Sequence, residues 1–285
     1  TMPNVSYVVG NSHKSMVAEI AIDTLEDPSG KGRAEVFCSD IFQEKELTRT
    51  PHQGSGGRTR ATVKIQDGCN ANCSFCIIPS VRGRSRSLPP AELISQVQEL
   101  VDRGYREVVL SGIHLGSYGR DRGDAPCLEE LVQGVLGDVP QLERLRLSSI
   151  EPLEVTPGLI DLVAAHSRVA RHLHVPLQSG SARVLRAMRR PYSPQYYSDL
   201  MHRIREHAPD AAIGADVMVG FPGESDDDFM QTYRLIDLSP LTYLHVFPYS
   251  MRPGTVAAEM PNPVPVGVSR HRGRLLRNLI AGKNK

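Results

Sequence analysis

The sequence contains no tryptophan, and aromatic residues make up only 5% of its 285 positions. It has no surplus of either charge: 33 Lys and Arg face 32 Asp and Glu, a formal net charge of +1. A near-neutral chain carries no global electrostatic footprint for nucleic acid, so any RNA contact must come from local patches. No apolar run approaches the roughly 20 residues that a membrane-spanning helix needs, and no secretory leader precedes the first strand-like stretch. These absences point to a cytoplasmic protein with no membrane partner. Cysteine is scarce and odd in number, five in all, which argues against a disulfide framework. No second C-x2-C pair exists to complete a four-ligand structural zinc site.

The cysteines that are present are not scattered. Cys69, Cys73 and Cys76 lie in the run Asp67-Gly68-Cys69-Asn70-Ala71-Asn72-Cys73-Ser74-Phe75-Cys76, directly after a strand-like stretch at 61–66. Three thiolates so close together converge on one metal centre if the chain loops around it. Three protein ligands also leave a coordination position for a small molecule. Iron–sulfur clusters are held by cysteines in short runs of this kind. A zinc-binding module that contacts RNA through a basic loop is the alternative from a different class. Cys38 and Cys127 are expected to be small buried hydrophobes.

Strand-like apolar runs recur at 61–66, 107–111, 145–149, 172–177, 213–219 and 243–247, with amphipathic helical patterns between them. Helix starts are marked by Pro89-Pro90, by Ser193-Pro194 and by Ser225 followed by Asp226, Asp227 and Asp228, where carboxylates favour the positive end of the helix dipole. Alternating strand and helix predicts an α/β fold on a parallel sheet. Residues 1–25 read as a strand and a helix capped by Asn11 or Ser12, the expected remnant of a separate N-terminal α/β domain. Residues 26–60, with Pro28-Ser29-Gly30-Lys31-Gly32 and Gln53-Gly54-Ser55-Gly56-Gly57, read as linker. Residues 61–285 form the expected core and end in a basic helix at 269–282. The chain begins with Thr1 rather than methionine and is taken as a fragment or a processed product.

Several polar groups gather where strands end. Arg82, Arg84 and Arg86 alternate in the loop that leaves the cysteines, suited to neutralising a phosphate or a substrate anion. Ser111-Gly112-Ile113-His114-Leu115-Gly116-Ser117-Tyr118-Gly119 closes the second strand with glycines that let a ligand approach the backbone. Glu151, Gln178 and Asp216 are placed at the ends of the third, fourth and fifth strands, and Arg190 follows the fourth. His172 and His174 share one strand face. With no third ligand in view, their expected role is packing and hydrogen bonding.

The C-x3-C-x2-C spacing after a strand, with an aromatic before the last cysteine, resembles the signature of the radical S-adenosylmethionine (SAM) enzymes, and the resemblance extends from about residue 60 onward. It implies a partial (β/α)6 barrel, open on one side, with a [4Fe–4S] cluster on Cys69, Cys73 and Cys76. SAM would occupy the open iron, and one electron from a reducing donor would cleave it to a 5′-deoxyadenosyl radical. By the same resemblance Phe75 packs on the adenine, and Ser111-Gly112 meets the methionyl amine through backbone carbonyls, where the family has a Gly-Gly-Glu turn. Glu151, Gln178, Arg190 and Asp216 would contact SAM: a carboxylate for the ammonium, arginine for the carboxylate, Asp and Gln for the ribose hydroxyls. Arg82, Arg84 and Arg86 are left as substrate contacts.

Within the superfamily the chain is most similar to the methylthiotransferases. The matching phrases include Lys64-Ile65-Gln66-Asp67-Gly68-Cys69, Leu147-Ser148-Ser149-Ile150-Glu151-Pro152, His174-Val175-Pro176-Leu177-Gln178-Ser179-Gly180-Ser181 and Val219-Gly220-Phe221-Pro222-Gly223-Glu224. The Gly112–Gly119 and Ser148–Pro152 phrases resemble the tRNA enzymes acting on N6-threonylcarbamoyladenosine, with isopentenyladenosine in tRNA or a ribosomal protein as alternative substrates. The resemblance implies tRNA as partner, and the chain is expected to be a monomer. Family members carry three more cysteines for a second [4Fe–4S] cluster in an N-terminal domain, and a C-terminal RNA-binding barrel; this sequence starts downstream of the first and stops before the second. Arg189 stands where asparagine or glycine is usual.

Overall fold

The computed structural model describes residues 5–26, 34–47, 59–123 and 126–283. The glycine-rich stretches 28–32 and 53–57 lie outside the described residues. The chain opens with β1 (Tyr7–Val9), a 3-10 turn at Asn11–Met16, α1 (Val17–Glu26) and β2 (Glu35–Phe37), which pairs in parallel with β1. β2 falls inside the stretch expected to be linker. Neither Asn11 nor Ser12 caps a helix, because each is engaged elsewhere. Asn11 Nδ2 donates to the Val81 carbonyl at 2.8 Å, and Ser12 Oγ accepts from Ser39 N at 3.0 Å.

The core then runs β3 (Arg60–Asp67), α2 (Ile78–Arg82), β4 (Arg86–Ser87), α3 (Pro90–Asp102), β5 (Glu107–Gly112), α4 (Leu128–Asp138), β6 (Arg144–Leu147), α5 (Pro157–Ala165) and β7 (His172–His174). It continues with α6 (Ala182–Ala187), α7 (Pro194–His207), β8 (Ala212–Val219), α8 (Asp226–Leu238), β9 (Tyr243–Pro248) and α9 (Val266–Lys283). β3, β5 and β6 pair in parallel, as do β7, β8 and β9. Parallel bridges Leu145–Val169 and Ser149–His174 join the two sets across β6 and β7. Six parallel strands therefore follow one another in chain order, with β4 antiparallel on the outer edge of β3. This is the partial barrel expected, and each helix crosses back over the outside of the sheet.

Alternation along the strands sets the inside apart from the outside. Ala61, Val63 and Ile65 on β3 are buried beneath the helices, as are Val108 and Leu110 on β5 and Leu145 and Leu147 on β6. They meet Leu93, Val97 and Leu100 of α3 and Val132 and Val135 of α4 in one continuous core. The helix starts lie where the sequence put them. Ser193 Oγ accepts from Tyr196 N, and Ser225 and Asp228 form a reciprocal capping box at α8. β7 is shorter than the expected 172–177, since Pro176 has no N–H to give to a ladder.

Candidate active site

The cysteine loop is held by buried polar contacts on both flanks. At the end of β3, the buried Asp67 carboxylate receives Lys14 Nζ at 2.6 Å, Lys64 Nζ at 3.0 Å and Arg82 at 3.2 Å. Burial alone would raise its pKa, but the Lys14 and Lys64 ammonium groups prevail and hold the carboxyl well below the usual carboxylate range. Gln66 Nε2 donates to the Asp67 and Gly68 carbonyls and to Ser85 Oγ, while its Oε1 accepts from His114 N at 2.8 Å. Gly68 has φ +72°, and a Cβ there would lie 1.9 Å from the Arg84 carbonyl oxygen. Only glycine permits that crossing of the two ends of the loop. Farther along, Ser74 N donates to Met188 O, and Ser74 Oγ to Ala187 O at 2.7 Å. The loop is thereby tied to the end of α6.

All three thiols are half-buried and unpaired. Cys69 Sγ lies 3.6 Å from His114 Nδ1 and accepts from Ala71 N at 3.3 Å. Arg190 donates to Cys73 Sγ at 3.2 Å. Burial pushes the Cys76 thiol up, and the neighbouring Cys73 and Cys69 add to that shift. Three sulfurs on one loop, with a guanidinium against one and an imidazole against another, fit a metal–sulfur centre: the thiolates are poised to be ligands and their charge is partly offset.

A cavity of about 390 Å³ opens beside Cys73, lined by His114, Glu151, Arg189, Arg190 and Tyr192 among others. The Arg190 side chain is 5% exposed and pairs with the Glu151 carboxylate. It also donates to Tyr192 Oη at 3.2 Å and lies over the Tyr192 ring at 5.2 Å from its centroid. A guanidinium and a carboxylate side by side complement a zwitterion such as an α-amino acid. On the opposite wall His114 Nε2 and Arg120 stand 2.9 Å from the two oxygens of Glu154. Burial opposes charge on His114, and its bonds to Cys69 and Glu154 outweigh that, pushing its pKa up to about 10.

The barrel lumen holds a second polar group, in a cavity of about 560 Å³ lined by Arg60, Arg146, His172, His174, Asp216 and Tyr243. Asp216 sits in the middle of β8 rather than at its end, opposite His245 in register. Its Oδ1 receives His174 Nε2 at 3.0 Å and His245 Nδ1 at 3.3 Å. With Nε2 of His174 donating, its Nδ1 accepts from Tyr243 Oη at 2.9 Å, and Tyr243 Oη accepts from His172 Nε2 at 2.7 Å. That chain keeps His172 neutral; burial first, then Arg146 and His174, push its pKa down to about 4. Both histidines are thus hydrogen-bonded, and the groups that spacing along their strand did not reveal are Asp216 and His245, whose ligand atoms lie within 4.8 Å of one another and of His174.

The remaining expected positions divide. Ser111 and Gly112 close β5, with Gly112 packed on the Gln66 side chain. Gln178 has φ +65° and bridges β8, its N donating to Asp216 O and its O accepting from Met218 N. Phe75 packs, half-buried, against an apolar cluster of Val184, Met188, Phe221 and Ala257. Of the three loop arginines only Arg84 is exposed. Arg82 is spent on Asp67, and buried Arg86 donates to the Glu44 and Arg82 carbonyls. Cys38 and Cys127 are exposed rather than buried; Cys127 occupies the N-cap of α4, a surface position. His114 and Glu154 were not singled out from the sequence as site residues. The signal available for His114 was its place in the glycine-rich turn beyond β5.

Comparison with known proteins identifies the family. The family model described as the radical SAM superfamily matches residues 63–236. The threonylcarbamoyladenosine tRNA methylthiotransferase MtaB of Bacillus subtilis is 40% identical over 95% of this chain and 59% of its own length. The protein of the same name from Aquifex aeolicus is 37% identical over 100% of this chain and 68% of its own. The chain therefore spans about three fifths of the first relative's length. Among solved structures, the radical SAM methyltransferase TsrM from Kitasatospora setae superposes with a TM-score of 0.59 at 16% identity, over 70% of this chain and 38% of that one, a likeness of fold. The chain belongs to the radical SAM superfamily, in its methylthiotransferase branch.

Proposed function

We propose that this chain is the SAM-cleaving core of an enzyme that adds a methylthio group to N6-threonylcarbamoyladenosine in tRNA. One observation carries the reading: the loop of three unpaired thiols brings Cys73 to the edge of a cavity that Arg190 and Glu151 also line, at the end of the barrel where such folds gather their chemistry. Cys69, Cys73 and Cys76 would hold a [4Fe–4S] cluster. When bound, that cluster supplies the electron that splits SAM and starts radical chemistry at an unactivated carbon. Arg190 binds the methionyl carboxylate in its fork, and Glu151 accepts from the ammonium. Carbonyls at Ser111 and Gly112 take further ammonium hydrogens. Gln178 and Asp216 meet the ribose hydroxyls, with the imidazoles of His174 and His245 fixing the Asp216 carboxylate. Phe75 forms the apolar wall for the adenine.

Arg84 is the loop arginine left free to meet tRNA phosphate; Arg82 and Arg86 support the loop that carries it. An external reductant delivers the electron, and the protein works as a cytoplasmic monomer. No helix among the described residues is long and apolar enough to cross a membrane. A second [4Fe–4S] cluster that handles the sulfur belongs to residues outside this sequence, since Cys38 and Cys127 are too few to hold it. The test is anaerobic reconstitution followed by reduction with SAM and mass spectrometry of the products. About four irons per chain and release of 5′-deoxyadenosine are expected. An intact cluster with no 5′-deoxyadenosine would overturn the reading, as would stoichiometric zinc without sulfide.

A further inference from the structure

Arg189 stands at a position its backbone does not favour. α6 ends with Arg189 N donating to Arg186 O and Arg190 N donating to Leu185 O, both at 2.9 Å, and Arg189 has φ +57°. This paired 5→2 and 6→1 closure puts Arg189 at the left-handed residue just past the helix, where glycine is favoured and asparagine tolerated. The turn itself matters, because it swings Arg190 back onto Glu151 and Cys73. Glycine or asparagine would make that turn with less strain, so the backbone gives no reason for an arginine.

Nor does pairing within the fold. Among the described residues the Arg189 guanidinium makes no hydrogen bond or ion pair, and it is exposed. It lines the cavity beside Asn72, Cys73 and Tyr192. The other two arginines of that cavity are compensated, Arg190 by Glu151 and Arg120 by Glu154. Arg189 is the uncompensated cation at the mouth. A planar guanidinium in that setting is a receptor for a carboxylate.

We infer that Arg189 is a specificity determinant that receives the carboxylate on the N6 substituent of the substrate base. The inference rests on the substrate reading above. A threonylcarbamoyl group ends in a free carboxylate, anionic at neutral pH, whereas an isopentenyl group is an uncharged hydrocarbon with nothing to offer a guanidinium. Arginine at this turn therefore selects for the charged substituent at the cost of a strained backbone.

The test is competition binding of three anticodon stem-loops to the full, cluster-loaded chain: one with threonylcarbamoyladenosine, one with its carboxylate methyl ester, one with unmodified adenosine. Arg189→Asn is the informative variant, since asparagine suits the left-handed turn and the fold is not put at risk. Unchanged iron content and SAM affinity and a Tm equal to or slightly above the parent's are expected, with the unsubstituted chain preferring the free acid over the ester by roughly 10- to 100-fold and R189N binding the two alike. Arg189→Lys should keep part of the preference. A preference that survives R189N overturns the assignment alone. Equal weakening toward all three stem-loops would make Arg189 a phosphate contact, and a loss of SAM affinity would make it a cofactor contact; either overturns the proposal. No preference in the unsubstituted chain would overturn the substrate reading and this inference with it.

Discussion

Truncating Arg190 to alanine separates the proposed cofactor role of this side chain from its structural role, because the two act on different observables. The guanidinium is 5% exposed and serves three partners: Glu151, Cys73 Sγ at 3.2 Å and Tyr192 Oη at 3.2 Å. Removing one member of a buried pair costs about 3–5 kcal/mol when the other is left dry. Glu151 is 29% exposed, so water can reach it and the cost should fall toward about 2–3 kcal/mol. For a domain of this size that is a drop of roughly 4–12 °C in Tm. The charge-assisted bond to the methionyl carboxylate is worth about 1.5–3 kcal/mol, so SAM affinity should fall roughly 10- to 150-fold. Arg84 is exposed and its truncation should change SAM affinity by less than about threefold. Arg190→Lys should recover stability better than binding, since an ammonium cannot span Glu151 and Cys73 together. Calorimetric titration of SAM into the cluster-loaded variants, with Tm measured in parallel, gives both numbers. If R84A lost as much SAM affinity as R190A, the cofactor assignment of Arg190 would be wrong, whatever happened to Tm.

Alanine at Cys69, Cys73 or Cys76 should abolish iron retention while far-UV circular dichroism stays native, and alanine at Cys38 or Cys127 should leave iron content unchanged; iron lost on changing Cys38 would mean the wrong ligands. Asp67→Asn should destabilise the fold by about 1.5–3 kcal/mol near neutral pH, because Lys14, Lys64 and Arg82 lose their common partner. The Asp67 pKa is depressed in the fold, so its contribution is present above the ordinary carboxylate range and disappears as pH falls through the folded value; denaturant titrations of D67N that kept the parent's acid dependence would contradict this. His172, with its pKa pushed down to about 4, has the opposite preference: the unfolded chain binds the proton more readily, so stability declines as pH falls from about 6.5 toward 4. His172→Gln should flatten that part of the stability–pH profile, and an unaltered slope would show that His172 is not the titrating group.

The sheet was legible because its evidence is local: apolar runs of strand length, punctuated by proline and serine at helix starts, specify six βα units without knowledge of which residues meet. The cysteine triad was legible for the same reason, all three thiols lying in one loop. Convergence across the chain was not. Lys14 reaches Asp67 from 53 residues away, His114 reaches Cys69 from 45, and Arg190 reaches Cys73 from 117; no pattern along the chain records such distances. The lumen group lay between these limits. Strand alternation puts His172 and His174 on one face of their strand and Tyr243 and His245 on one face of theirs, and only the parallel registers of β7, β8 and β9 bring Asp216 between them in the same lumen. Charge pattern said least, since Arg82, Arg84 and Arg86 share a spacing and yet Arg82 pairs with Asp67, Arg86 is buried against carbonyls and Arg84 is exposed. What remains readable is conflict between a residue and its backbone. Gln178 and Arg189 both occupy left-handed conformations that glycine would adopt with less strain, and both border the proposed cofactor and substrate sites. A side chain retained against local preference is held there by what it contacts, and at Arg189 nothing within the described fold supplies that contact.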